Sequence, residues 1–161
     1  KVADVLAREG IGAALWADWG GFKLEANDAV RANIPLVSKA GARAIVHSDD
    51  ESGIQRLNQE AAKALAAGNA IGLGMTEDDA IKWLTINPAW ALDLDSKIGS
   101  IEVGKNADVV LWSGDPFSVY TRSEKIWIDG AMVFDRLDPS ERWRTDFELG
   151  YVPAMQTGGS K

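Results

Sequence analysis

The chain has 161 residues, 46% hydrophobic and 25% charged, a globular composition sufficient for one domain with a core or for parts of two. Its net charge of −7 comes with no basic stripe of the kind a nucleic-acid binder carries, and no apolar run approaches the ~20 residues of a membrane-spanning helix. There is no cysteine and only one histidine, so disulfides and thiolate ligands are excluded, and this chain can supply only part of a three-ligand zinc site.

KVADVLAREG lacks an initiator Met and a signal pattern, and it reads as the end of a helix stopped at Gly10. The chain is expected to begin inside a domain. IGAALWAD, bounded by glycines, predicts a short buried strand, and WGGFKLEAND a loop. NDAVRANIPLVSKAG predicts a short or broken helix capped at Asn27 or Asp28, interrupted by Pro35 and stopped at Gly41. ARAIVHSD predicts a second strand, apolar on both faces as a parallel strand covered on both sides would be. Ile54, Leu57, Ala61, Ala64 and Leu65 recur at helical spacing.

Thr76 followed by Asp79 predicts a capping box with Asp in place of Glu, and Asn87-Pro88 the cap and first position of another helix. Strand, helix, strand, helices is the order of a parallel α/β layer or barrel. After about Asp95 the composition turns to β. ADVVLW and the two runs of KIWIDGAMVFD read as strands, the last two joined by an Asp129-Gly130 hairpin turn. Three regions are expected: an α/β part over 1–97, β strands over 98–137, and a tail over 138–161 whose QTGGSK end is disordered.

The candidate site is AIVHSDDES, residues 44–52, with the lone His47. Alternation puts Ile45, His47 and Asp49 on one strand face. The bland reading of His47 is a hydrogen-bonded core residue, and that of Asp49 is a cap or turn residue. Against the latter, Asp49 lies where the strand ends, which is where functional groups gather in a (β/α)8 barrel. Asp50 and Glu51 read as solvated loop charges or helix N-terminal acids. Trp16 and Trp19 flank the end of the first strand and could line a pocket, although tryptophans are more often core anchors. GLGMTEDD lacks the preceding strand and spacing of a dinucleotide loop, and no G-x-S-x-G elbow occurs.

TEDDAIKWLTINPAWALDLDSKIGSIEVGKNADVVLW resembles the C-terminal signature of the amidohydrolase superfamily, in which a helix runs into T-x-N-P-A and then a G-x-I-x-x-G-K-x-A-D-V strand. The matching residues are Thr85, Asn87, Pro88 and Ala89, then Gly99, Ile101, Gly104, Lys105, Ala107, Asp108 and Val109. VYTRSEKIWIDGAMVFD resembles the end of the same proteins, and VHSDDESG their eighth barrel strand, where [ST]-D carries the catalytic aspartate. The pieces run in consistent order over roughly residues 2–137, closest to the imidazolonepropionase-like subgroup. The resemblance implies the last strand–helix units of a (β/α)8, TIM-like barrel followed by strands of a small flanking, urease-like β domain.

It further implies a parent enzyme that hydrolyses a non-peptide C–N bond in a cyclic amide, an amidine or a small dipeptide-like substrate. Zn2+ or another divalent metal, one ion or two, would be ligated mostly by residues absent from this chain. Asp49 is the implied catalytic residue and a metal ligand, with His47, about 6.6 Å earlier along the strand, in support. The chain alone is expected to be inactive, and to meet either the rest of its enzyme or another copy through open sheet edges. The rival reading is a complete non-enzymatic α/β binding module.

Overall fold

The computed structural model describes residues 1–141. Its elements run α1 (Ala3–Arg8), β1 (Ala13–Leu15), α2 (Asn33–Lys39), β2 (Ala44–Val46), α3 (Leu57–Ala70), α4 (Glu77–Lys82), α5 (Ile86–Ala91), β3 (Val109–Trp112), β4 (Ser123–Ile128) and β5 (Ala131–Asp135). Residues Leu24–Ala26, Ile54–Arg56 and Pro139–Glu141 form short 3-10 turns. β1 and β2 pair in parallel, Ala13 opposite Ala44 and Leu15 opposite Val46. β3, β4 and β5 form an antiparallel sheet in that order. The QTGGSK end lies outside the described residues.

The core lies between the parallel pair and its helices. Ile34 of α2, Ala44 and Val46 of β2, Ala61 and Ala64 of α3, and Trp83 after α4 are all buried in one cluster. Small residues on α3 let α2 come close. A Cβ added at Gly68 would lie 2.7 Å from the Pro35 ring. Trp83 is fully buried and satisfies its indole N–H at Ser38 Oγ, 3.1 Å away. Coverage is one-sided, however. Ala44 and Val46 are buried, Ile45 is half-buried and Ala14 is exposed, so β2 is not covered on both faces among the described residues.

Two helix starts differ from expectation. α2 begins at Asn33, not at Asn27 or Asp28, and Pro35 sits in its first turn, where the missing N–H is unneeded, so it breaks nothing. Asn33 serves this start itself: its Oδ1 accepts from Ile34 N at 2.7 Å, and its Nδ2 donates to Trp16 O at 3.0 Å. α5 is preceded by Thr85, and Asn87 lies inside the helix with its amide spent on a distant strand. The Thr76–Asp79 box forms in full.

The loop before β3 is held by the motif residues. Gly99, at φ +88°, sits so tightly on α5 that a Cβ would meet Ala89 Cβ at 2.7 Å. Asp108 accepts from Asp129 N at 2.8 Å, and Asn106 donates to Asp129 Oδ1 at 2.7 Å, which braces the hairpin turn. In that turn Asp129 and Gly130 both have positive φ, 51° and 79°, the conformation a two-residue hairpin of this twist requires. The small sheet meets the α/β core through the β3–β4 loop. Phe117 packs against the core cluster, and Asn58 Nδ2 donates to Pro116 O at 2.6 Å.

Candidate active site

Because β1 and β2 are parallel, their C-terminal ends open on one side. His47 N donates to Leu15 O at 3.1 Å, which carries the pairing one residue past β2. The next residue of β1 is Trp16, and its ring stacks on the His47 imidazole, centroids 5.7 Å apart and planes 23° from parallel. Trp19 lies 5.6 Å from Trp16, and Phe22 meets both indoles edge-on at 5.2 and 5.4 Å. Lys23 Nζ sits 5.6 Å above the Trp16 ring and 5.0 Å above that of Phe22.

The Trp16, Trp19 and His47 rings border an open cleft of about 320 Å3, whose lining also includes Asn33 and small alanines. Trp16 Nε1 is buried and has no hydrogen-bond partner among the described residues. His47 is half-buried and faces this cleft, a different place from the interior of an apolar core.

After His47 the chain turns. Ser48 Oγ accepts from Asp50 N at 3.2 Å and donates to Asp50 O at 3.0 Å. Asp50 in turn accepts from Ser52 N at 3.3 Å and Gly53 N at 2.7 Å. The turn-forming carboxylate is thus Asp50. Asp49, exposed between Ser48 and Asp50, is left out of that bonding. β2 ends at Val46, so the alternation that would put Asp49 on the His47 face stops short of it. The turn is tightly built, since a Cβ on Gly53 would lie 2.7 Å from Ser48 Oγ and 3.5 Å from Trp19.

The structure therefore brings Trp16, Trp19 and His47 into one cleft, and leaves Asp49, two residues further along the chain, outside its lining. The sequence reading missed Phe22, Lys23 and Asn33. Asn33 carried a signal, as the one amide directly before an apolar Ile-Pro pair. Among the described residues no three His, Asp or Glu side chains cluster as a metal site. Asp49 and His47 fit as one or two donors of a larger set, and do not fit a metal alone.

A model of the amidohydrolase family matches residues 23–142, most of the chain. The chain belongs to the amidohydrolase family. His47 and Asp49 lie within the matched residues, whereas Trp16 and Trp19 precede them. A solved amidohydrolase from Thermotoga maritima is 35% identical, with a TM-score of 0.71, over 84% of this chain and 34% of its own. Its likeness makes the parallel strands and their helices the α/β content of the family's barrel-type fold. The imidazolonepropionase of Sphingopyxis alaskensis is 44% identical over 50 residues, 30% of this chain and 12% of that protein. Amidohydrolase tasK of Hapsidospora irregularis is 34% identical over 71 residues, 44% of this chain and 7% of that protein. The chain thus spans about an eighth or less of these two curated relatives.

Proposed function

We propose that the chain supplies the closing strand–helix units, and the strands of a small flanking β domain, to a metal-dependent hydrolase of non-peptide C–N bonds, with Asp49 as catalytic acid–base. Cyclic amides, amidines and small dipeptide-like compounds are the substrate classes. The single observation that carries this reading is Asp49 itself: exposed two residues past the cleft-lining His47, and relieved of turn duty by Asp50.

A carboxylate in that position takes a proton from the attacking water and returns it to the departing nitrogen, which leaves poorly as an anion. Asp49, with His47 as a second donor or as support, would hold a divalent cation together with residues of the longer enzyme, and such a cation supplies Lewis acidity to the carbonyl. His47, stacked on Trp16, orients the strand end, and the Trp16 and Trp19 rings keep water off one side of the substrate.

In the full-length enzyme, Asp49→Asn should lower kcat by at least ~10² while the fold persists, because general acid–base groups contribute on that order. His47→Gln should cost less. Near-full turnover by Asp49→Asn, with His47→Gln inactive and folded, would move the chemistry to the histidine. The 161-residue chain alone should bind zinc weakly; a one-to-one, sub-micromolar isotherm in titration calorimetry would contradict the ligand count.

A further inference from the structure

We propose that Asn87 is a positioning residue for the strand end that carries His47 and Asp49. It acts by closing the side of β2 that faces away from β1. On β2, Arg43 and His47 bond towards β1, through Ala13 N to Arg43 O at 2.9 Å and His47 N to Leu15 O at 3.1 Å. Ala44 and Val46 therefore point their main-chain groups the other way. No strand lies there among the described residues. Instead Asn87 Nδ2 donates to Ala44 O at 2.8 Å, and Val46 N donates to Trp83 O at 3.2 Å.

Both partners are themselves fixed. Trp83 is fully buried and bonded to Ser38 on α2. Asn87 is followed by the buried Ala89, and then by Trp90, which lies against Gly12 and under the Arg43 guanidinium, 4.3 Å from the ring centroid. The α4–α5 corner thus grips β2 at two successive outward positions, and the starts of both strands from below. A three-residue strand paired on one side only would be free to tilt or slip, and a one-residue slip turns every side chain to the opposite face. With both sides bonded, His47 is held at the height where its ring meets Trp16. Calling this end the site rests on the function proposed above; the clamp itself does not.

The test is made on the 161-residue chain by NMR. In the unsubstituted protein, the Val46 amide should be protected from hydrogen exchange as well as His47 is. In Asn87→Ala, and in the nearly isosteric Asn87→Asp, exchange at Val46 and His47 should quicken at least about tenfold, as expected for a lost buried bond, and the ring NOEs between Trp16 and His47 should weaken. Asn69→Ala is the control. Asn69 makes two bonds of similar length to the Met75 main chain, 3.0 and 2.8 Å, away from β2. Its loss should leave the NOEs intact. An unprotected Val46 amide in the unsubstituted chain, unchanged NOEs in folded Asn87 variants, or an equal loss in Asn69→Ala would each overturn the proposal. Full turnover by the Asp49→Asn enzyme would instead defeat the active-site reading and leave these spectra as they are.

Discussion

Asp49 and Asp50 are neighbours of the same type with different work. Asp50 closes a turn by accepting two main-chain N–H groups, as a helix cap does. Its removal should therefore cost about 1 kcal/mol. Asp49→Ala should leave stability within about 0.5 kcal/mol, the usual range for a surface substitution. Urea unfolding of the two variants checks this, and equal losses would put Asp49 in the turn after all. A second carboxylate makes a pH prediction. The Thr76 N–H, and after it the Thr76 hydroxyl, hold the Asp79 carboxyl below the usual aspartate value. Its contribution is present above the unfolded value of about 3.9 and is lost as pH falls through the lower folded value. Thr76→Ala should cost about 1 kcal/mol near neutrality and reduce, without abolishing, the slope of the stability profile below about pH 4, because the main-chain N–H at position 76 remains.

At the scale of elements, the contact between α2 and α3 depends on the absence of a side chain at Gly68. Alanine is the better helix former by about 1 kcal/mol, yet a methyl there would stand 2.7 Å from Pro35. Gly68→Ala should destabilise the chain by roughly 1–3 kcal/mol, the cost of an overpacked core, and so lower the melting temperature. A raised melting temperature would show that the helices part freely.

What was legible in the sequence follows the reach of each interaction. The Thr76–Asp79 box and the Asp129-Gly130 turn are complete within four residues, so local pattern suffices. The helical face of α3 is likewise set by its own spacing. Asn87 looked like a cap because Asn-Pro is a good local start, but its amide answers Ala44, 43 residues earlier. Asn27 and Asp28 misled for the same reason, since the residue that serves α2 is Asn33, tied back to Trp16. For the site, the strand end and its two tryptophans were visible in the sequence. The exchange of roles between Asp49 and Asp50, and the Phe22–Lys23 cover, arise from folding of the loops.

Over the whole molecule, the two parts meet, among the described residues, at Phe117 in the α/β cluster, at the Asn58–Pro116 bond, and through segment 99–108 between α5 and the β4–β5 turn. Phe117→Ala should cost less than the ~3–5 kcal/mol of a fully buried phenylalanine, since the ring is only half-buried. It should also let the β3–β5 amides exchange ahead of those in β2, which NMR exchange rates would register. Uniform slowing or quickening across both sheets would mean that they unfold as one. We also expect the isolated chain to self-associate; a compact monomer in sedimentation that binds no hydrophobic dye would count against this.

The clamp on β2 gives such association a valence. Within the parallel sheet, one side is already taken by Asn87 and Trp83, and the side without a strand among the described residues is that of β1. A fibre needs two free sides on every copy, whereas this sheet offers one. Two chains meeting through β1 would consume both free sides, and the product would be a closed two-fold pair. Removing the Asn87 amide would free only the Ala44 carbonyl, because Val46 N stays bonded to Trp83 O; the valence stays at one, and the pair stays closed.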